Sequence, residues 1–146
     1  MTLSLRMYLI DTNVISEHRK ADKANLGVRR FFDSAIRNQE GLYLSVITLG
    51  ELRRGVDLVA HRGDIAQAKL LESWLTLILG SYQNNILGID QETALLWGKM
   101  RVPNPENALD KLIAATALLY DLTLVTRNID DFKNTGVKWL NPFITL

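Results

Sequence analysis

The 146-residue chain contains no cysteine, only three prolines and two histidines, and no strong excess of either charge. Without cysteine there are no disulfides, no thiolate metal sites and no cysteine nucleophile. His18 and His61 alone leave little scope for an imidazole-rich zinc site. Seventeen Lys and Arg against sixteen Asp and Glu give a formal charge of +1, far from the basic balance of a protein that coats nucleic acid regardless of sequence. Any nucleic-acid contact therefore has to be local. Long apolar runs are missing as well. The opening MTLSLRMYLI has no extended apolar stretch before Asp11, so no secretory signal is expected, and Met7 offers a natural start. Residues 73–89 are uncharged but carry Ser, Gln, Asn and Gly, too polar a stretch for a membrane span. A cytoplasmic protein without membrane segments is expected.

What is present is an ordinary globular composition, 47% hydrophobic and 23% charged, sufficient for one core over residues 1–146. Tyr8-Leu9-Ile10 followed by Asp11 reads as a buried strand stopped by a carboxylate, with a helix after Asp11-Thr12-Asn13. From Glu17 to Arg37, six Lys/Arg face three acids, and Phe31, Phe32, Ala35 and Ile36 share one helical face. Leu42 to Ile47 reads as a strand, followed by a helix through Leu49, Leu52, Val56 and Val59. His61-Arg62-Gly63 breaks the chain before a helix from Ile65 to about Leu79. That helix carries two apolar stripes, Ile65/Ala68/Leu71/Leu75/Ile78 and Leu70/Trp74/Leu77, expected to make a core helix packed on two sides, with a subunit interface as the alternative. Ile86 to Ile89 is a weak strand, Asp90 caps a helix containing Leu95, Leu96 and Trp97, and Pro103 and Pro105 end it. Ala108 to Leu119 is an apolar helix, Leu122 to Thr126 a buried strand and Val137 to Leu140 a last short one. Short apolar strands alternating with helices predict an α/β domain with a central, mostly parallel sheet flanked by helices. In such sheets ligands bind beyond the carboxyl ends of the strands.

Four acids fall at such junctions. Asp11 ends the first strand and can cap a helix. Thr48-Leu49-Gly50-Glu51 has the spacing of a capping box. Asn107-Ala108-Leu109-Asp110 and Asn128-Ile129-Asp130-Asp131 each place an acid in a first helical turn. Every one has a structural explanation, yet all four would project from one end of the sheet. Carboxylates gathered there repel and raise one another's pKa unless a cation compensates. An oxygen-only donor set without Cys or His suits Mg²⁺ or Mn²⁺ rather than zinc.

Four blocks in register, Tyr8-Leu9-Ile10-Asp11-Thr12-Asn13, Leu49-Gly50-Glu51-Leu52 with Gly55, Asp110-Lys111-Leu112-Ile113-Ala114-Ala115-Thr116-Ala117, and Leu124-Val125-Thr126-Arg127-Asn128 with Asp131-Phe132, resemble the PIN-domain ribonucleases. The similarity is greatest to the VapC toxins of prokaryotic toxin–antitoxin pairs, FitB-like members included, and runs over about residues 7–143. It implies a PIN fold with Asp11, Glu51, Asp110 and Asp131 as catalytic, metal-holding acids, Asp130 being an extra neighbour. It also implies supporting roles for Asn13, Thr126 and Asn128, a Mg²⁺ cofactor for which Mn²⁺ substitutes, and hydrolysis of a structured RNA such as tRNA or rRNA. A small antitoxin with a DNA-binding end and a homodimer are the implied partners. Arg53, Arg54 and Lys111 lie near these motifs and are candidate RNA-phosphate contacts.

Three other readings compete. A strand ending in Asp also announces an aspartyl-phosphate phosphatase, but two residues on, where that chemistry usually has a second acid, stands Asn13. A non-catalytic RNA-binding domain is opposed by retention of all four acids. A metal-free ribonuclease would need His18 and His61 together, and both lie in polar segments expected to be exposed.

Overall fold

The computed structural model describes residues 6–145; the start of the opening segment read above for a secretory signal lies outside them. Five strands form one sheet in the order β3-β2-β1-β4-β5: β1 Met7–Ile10, β2 Gly41–Ser45, β3 Ile86–Leu87, β4 Thr123–Val125 and β5 Trp139–Leu140. Every pairing is parallel. Parallel neighbours need crossovers, and the helices α1 Thr12–His18, α2 Leu26–Arg37, α3 Val46–His61, α4 Ile65–Ser81, α5 Gln91–Met100 and α6 Ala108–Leu119 lie between the strands in sequence.

The central strand shows why the sheet is covered on both faces. Tyr8 and Ile10 join a cluster with Val14, Val28, Phe32, Leu52, Leu75 and Ile78, whereas Leu9, between them, joins Ile113, Ala117, Leu124 and Phe132. The period of two sends alternate side chains to opposite layers, so an unbroken apolar run is what a doubly covered strand requires. After β3 the chain crosses to the other side of β1 and lays down β4. The order thus reverses between β1 and β4, which opens a crevice at their carboxyl ends.

Several expectations shift in detail. The second strand stops at Ser45, because the Ser45 hydroxyl accepts from the Ile47 amide at 3.0 Å and starts α3 there. The capping box assigned to Thr48 and Glu51 is therefore not formed. Both lie inside the helix, and the buried Thr48 hydroxyl has no partner. The polar segment after α1 makes only a 3₁₀ turn, Ala21–Lys23, before α2. On α2, Phe32 and Ala35 are buried but Ile36 is 64% exposed, so the apolar face is narrower than expected. Helix α4 packs on one side only. Ala68, Leu75 and Ile78 are buried, while Leu70 and Leu77 are each 68% exposed, because α3 and the sheet cover a single face of it. His18 is half-buried rather than exposed, stacked on Phe32 with ring centroids 3.8 Å apart, and burial lowers its pKa. His61 ends α3 in solvent. Residues 129–131 form a 3₁₀ turn without a side-chain cap from Asn128.

Glu17, 8% exposed, ties the end of α1 to the start of α2: its carboxylate accepts from Lys20 Nζ at 2.9 Å and from the Asn25 amide at 2.8 Å. These two donors, Lys20 first, hold its carboxyl below the ordinary value of 4.5. A depressed folded pKa means that the ionised form contributes stability above the unfolded value, and that this is lost as pH falls through the folded one. Glu17→Gln should lower the melting temperature at neutral pH, and the gap to wild type should close in acid below about pH 4. Thermal melts across pH check this; a gap that widens in acid would refute the assignment.

Candidate active site

At the carboxyl ends of β1 and β4 stands Asp11, only 4% exposed. Asp11 sits at the last turn of the chain out of β1, and its own amide donates to the Val125 carbonyl at 2.9 Å. Its Oδ1 accepts from the Thr12 amide at 2.8 Å, so the capping role is real. Its Oδ2 accepts from the Thr126 hydroxyl at 2.8 Å and from Asn13 Nδ2 at 3.3 Å. Burial pushes the Asp11 pKa up, against the pull of Thr126, the Thr12 amide and Asn13. Thr126, fully buried at the end of β4, also accepts from the Asn128 amide at 3.0 Å. Asn13 reaches from α1 to the Arg127 amide, its Oδ1 accepting at 3.1 Å. One hydroxyl and one carboxamide thus join the ends of β1 and β4 around a single carboxylate.

Asp110 enters from the first turn of α6 and is half-buried. Its pKa is pushed up to about 6, first by burial and then by the charges of Asp11, Asp131 and Glu51. The four acids of the separate motifs therefore feel one another. Glu51 projects from α3 and accepts from the Thr12 hydroxyl at 2.8 Å. Asp131 contributes to the field at both Asp11 and Asp110. Its neighbour Asp130 is exposed and paired with Lys133 at 2.8 Å, which separates their roles. None of Asp11, Glu51, Asp110 or Asp131 takes part in an ion pair among the described residues. Nor, among these residues, do three acidic or histidine side chains stand close enough to hold one ion together. The donor chemistry is nonetheless that of a hard cation: carboxylate and hydroxyl oxygen, no sulfur, no imidazole, and negative charge without a basic partner.

The candidate phosphate contacts fare differently. Arg53 is turned away into a pair with Glu72 and another with Asp57 at 2.8 Å, so it is not a free cation. Arg54 is exposed and unpaired among the described residues. Lys111 donates to the Asn104 carbonyl and lines a cavity of about 440 Å³ with Asn107 and Asp131. Two participants escaped the sequence reading. Thr12 was visible in the Asp-Thr-Asn block, but its contact is with Glu51, 39 residues away. Arg127 stood unremarked in the middle of Thr126-Arg127-Asn128.

With this geometry the comparisons agree. The model of the family described as PIN domain matches residues 8–138. Toxin FitB of Neisseria gonorrhoeae is 35% identical over 144 residues, covering 94% of this chain and 99% of that one. The VapC ribonuclease Y4jK of Sinorhizobium fredii is 31% identical over 140 residues, covering 94% and 98%. The solved structure of FitAB bound to the IR36 DNA fragment superposes with a TM-score of 0.81 at 32% identity, covering 96% of this chain and 98% of that chain. The chain belongs to the PIN-domain family, alongside the FitB and VapC toxins.

Thr126→Val should remove the shorter of the two hydrogen bonds to the buried Asp11 Oδ2 and cost roughly 1–3 kcal/mol, the penalty for a buried polar group short of a donor, whereas Thr126→Ser should keep most of it. Chemical denaturation of both variants checks this, and equal stabilities would refute the role of the hydroxyl.

Proposed function

We propose that this chain is a metal-dependent endoribonuclease, the toxin of a type II toxin–antitoxin pair, that hydrolyses phosphodiester bonds in a structured RNA such as a tRNA or rRNA loop. The observation that carries this reading is the convergence of Asp11, Glu51, Asp110 and Asp131 from four separate motifs on the β1–β4 crevice, none of them paired with Lys or Arg among the described residues. Asp11 and Asp110 are the residues best suited to hold Mg²⁺, with Glu51 and Asp131 beside them, and Mn²⁺ should substitute. A hard divalent ion held there supplies positive charge for the phosphate and acidifies water.

The chain's own contribution is orientation. Thr126 and Asn13 orient Asp11, Thr12 holds Glu51, and Asp110 enters from the first turn of α6 with no basic partner among the described residues. Phosphoryl transfer to Asp11 is disfavoured because the position two residues on, where that chemistry usually has a second acid, is Asn13. Two histidines acting together are disfavoured as well, His18 being stacked on Phe32 and His61 standing in solvent at the end of α3.

The relative named a toxin and the FitAB structure on DNA support a small antitoxin with a DNA-binding end as partner, and a cytoplasmic setting follows from that reading. Such an inhibitor would present Arg or Lys to the acids. The open stripe of α4, Leu70 and Leu77, supports a homodimer contact; light scattering that shows a monomer at micromolar concentration would overturn that part. The domain reading for residues 1–146 remains a single catalytic unit.

Asp11→Asn and Asp110→Asn should abolish cleavage of RNA in magnesium while the fold survives, since each keeps its shape and some capping capacity but loses charge. Wild-type fragments should carry 5′-phosphate and 3′-hydroxyl ends, and EDTA should stop the reaction. Sequencing the fragment ends checks it; 2′,3′-cyclic phosphates would point instead to attack by the RNA's own hydroxyl.

A further inference from the structure

Next in the chain after Thr126, whose hydroxyl holds Asp11, comes a cation with an unusual mounting. The backbone of Arg127 is fixed by the bond from its amide to Asn13 Oδ1, one residue past the hydroxyl that holds Asp11. Its guanidinium lies over the ring of Phe143, 4.0 Å from the centroid. The residue is exposed, and among the described residues its side chain forms neither an ion pair nor a hydrogen bond. In this it differs from Arg53, which two carboxylates hold, and from Lys111, which a carbonyl holds.

The ring beneath Arg127 is itself anchored. Asn25, at the start of α2, grips the C-terminal segment with both ends of its carboxamide: Nδ2 donates to the Ile144 carbonyl at 2.8 Å and Oδ1 accepts from the Ile144 amide at 3.0 Å. Gly27 makes room for that segment, since a Cβ there would fall on the Pro142 carbonyl oxygen. Glu17 lines the same cleft of about 380 Å³, but its carboxylate is engaged by Lys20 and the Asn25 amide. A guanidinium held over a ring leaves N–H groups free for other acceptors, and its planar fork matches two phosphate oxygens at once.

We infer that Arg127, stacked on Phe143, is a prebuilt contact for a backbone phosphate of the RNA adjoining the one that is cut. Its place in the reaction rests on the nuclease reading above; its affinity for RNA does not. Arg127 is the contact residue, and Phe143 a positioning residue that acts through it. Part of the freedom a long cation loses on binding is already lost in the stack, so a single arginine can serve where the chain's net charge offers no general attraction.

The test is the salt dependence of binding of a labelled single-stranded RNA to the full chain in EDTA, followed by fluorescence anisotropy. Arg127→Gln should weaken binding roughly tenfold and flatten the slope of log affinity against log salt by about 0.7, one phosphate's worth for a single strand. Phe143→Leu keeps the charge and should weaken binding roughly threefold with the slope unchanged, while Phe143→Tyr, which retains the ring, should bind as wild type. An unchanged slope in Arg127→Gln, or equal binding by the Leu and Tyr variants with melting temperatures alike, would overturn the inference. If Arg127→Gln left RNA binding untouched and weakened only a protein partner, the guanidinium would belong to that partner and the proposal would fail. Cleavage by wild type in magnesium is scored separately. A chain that shows the Arg127-dependent slope but never cuts would overturn the nuclease reading and leave this one standing, and a chain that cuts with an unchanged slope would do the reverse.

Discussion

The organisation of this protein depends on supplying donors to one carboxylate where water barely reaches it. Burial alone favours the neutral acid at Asp11, and the negative charge of Asp131 adds to that tendency. Three donors oppose it, drawn from three different kinds of group: a backbone amide at a helix start, a hydroxyl at the end of a neighbouring strand and a side-chain amide on α1. A buried acceptor left short of donors costs roughly 1–3 kcal/mol, more if it is charged. The ends of β1 and β4 and the start of α1 are therefore coupled through Asp11, and the parallel pairing of Ile10 with Val125 sets the register that brings them together.

The topology explains why this point of the sheet, and no other, carries the acids. Chain order runs outward from β1 through β2 to β3, and then restarts on the other side with β4. Helices that follow β1 and β2 leave in one direction and those that precede β4 in the other, so the carboxyl ends of β1 and β4 are left uncovered. Asp11 and Thr126 occupy those ends, Glu51 reaches in from α3 and Asp110 from α6. Each acid comes from a different element, so the cluster forms only when the sheet is complete.

Much of this was legible from residues. The alternation of apolar strands with helices identified a parallel sheet, because period and length distinguish strand from helix and a parallel pair admits few connections. The four acids could be picked out because each ends an apolar run or opens a helix. The failures share a cause. Thr48 and Glu51 match a capping box by spacing, yet Ser45 takes the cap because β2 ends there, and strand length is decided by pairing with β1 and β3 rather than by local pattern. Leu70 and Leu77 look like core by hydropathy, but which side of α4 is covered depends on where α3 lies. Arg53 looks like an RNA contact by proximity, and its pair with Glu72 spans 19 residues. Local propensity says little about contacts at such separations.

On the proposed function, a cluster of acids that must admit a polyanion faces an electrostatic conflict that overall charge does not resolve. The chain's formal charge is +1, and at physiological salt the field of a distant charge is screened within about 8 Å. Attraction for a phosphate backbone has to come from cations set around the acids but not paired with them. A cation close enough to pair would neutralise Asp11 or Asp110 and occupy the place proposed for a metal ion. Arg53 illustrates the other extreme, since Asp57 and Glu72 retire it from the surface field. Arg127 meets both conditions: Phe143 holds its guanidinium without neutralising it, and Asn13 holds its backbone beside Asp11 without letting the two charges pair. An aromatic ring is the one kind of support that fixes a cation in place and leaves its hydrogen-bonding edge unspent.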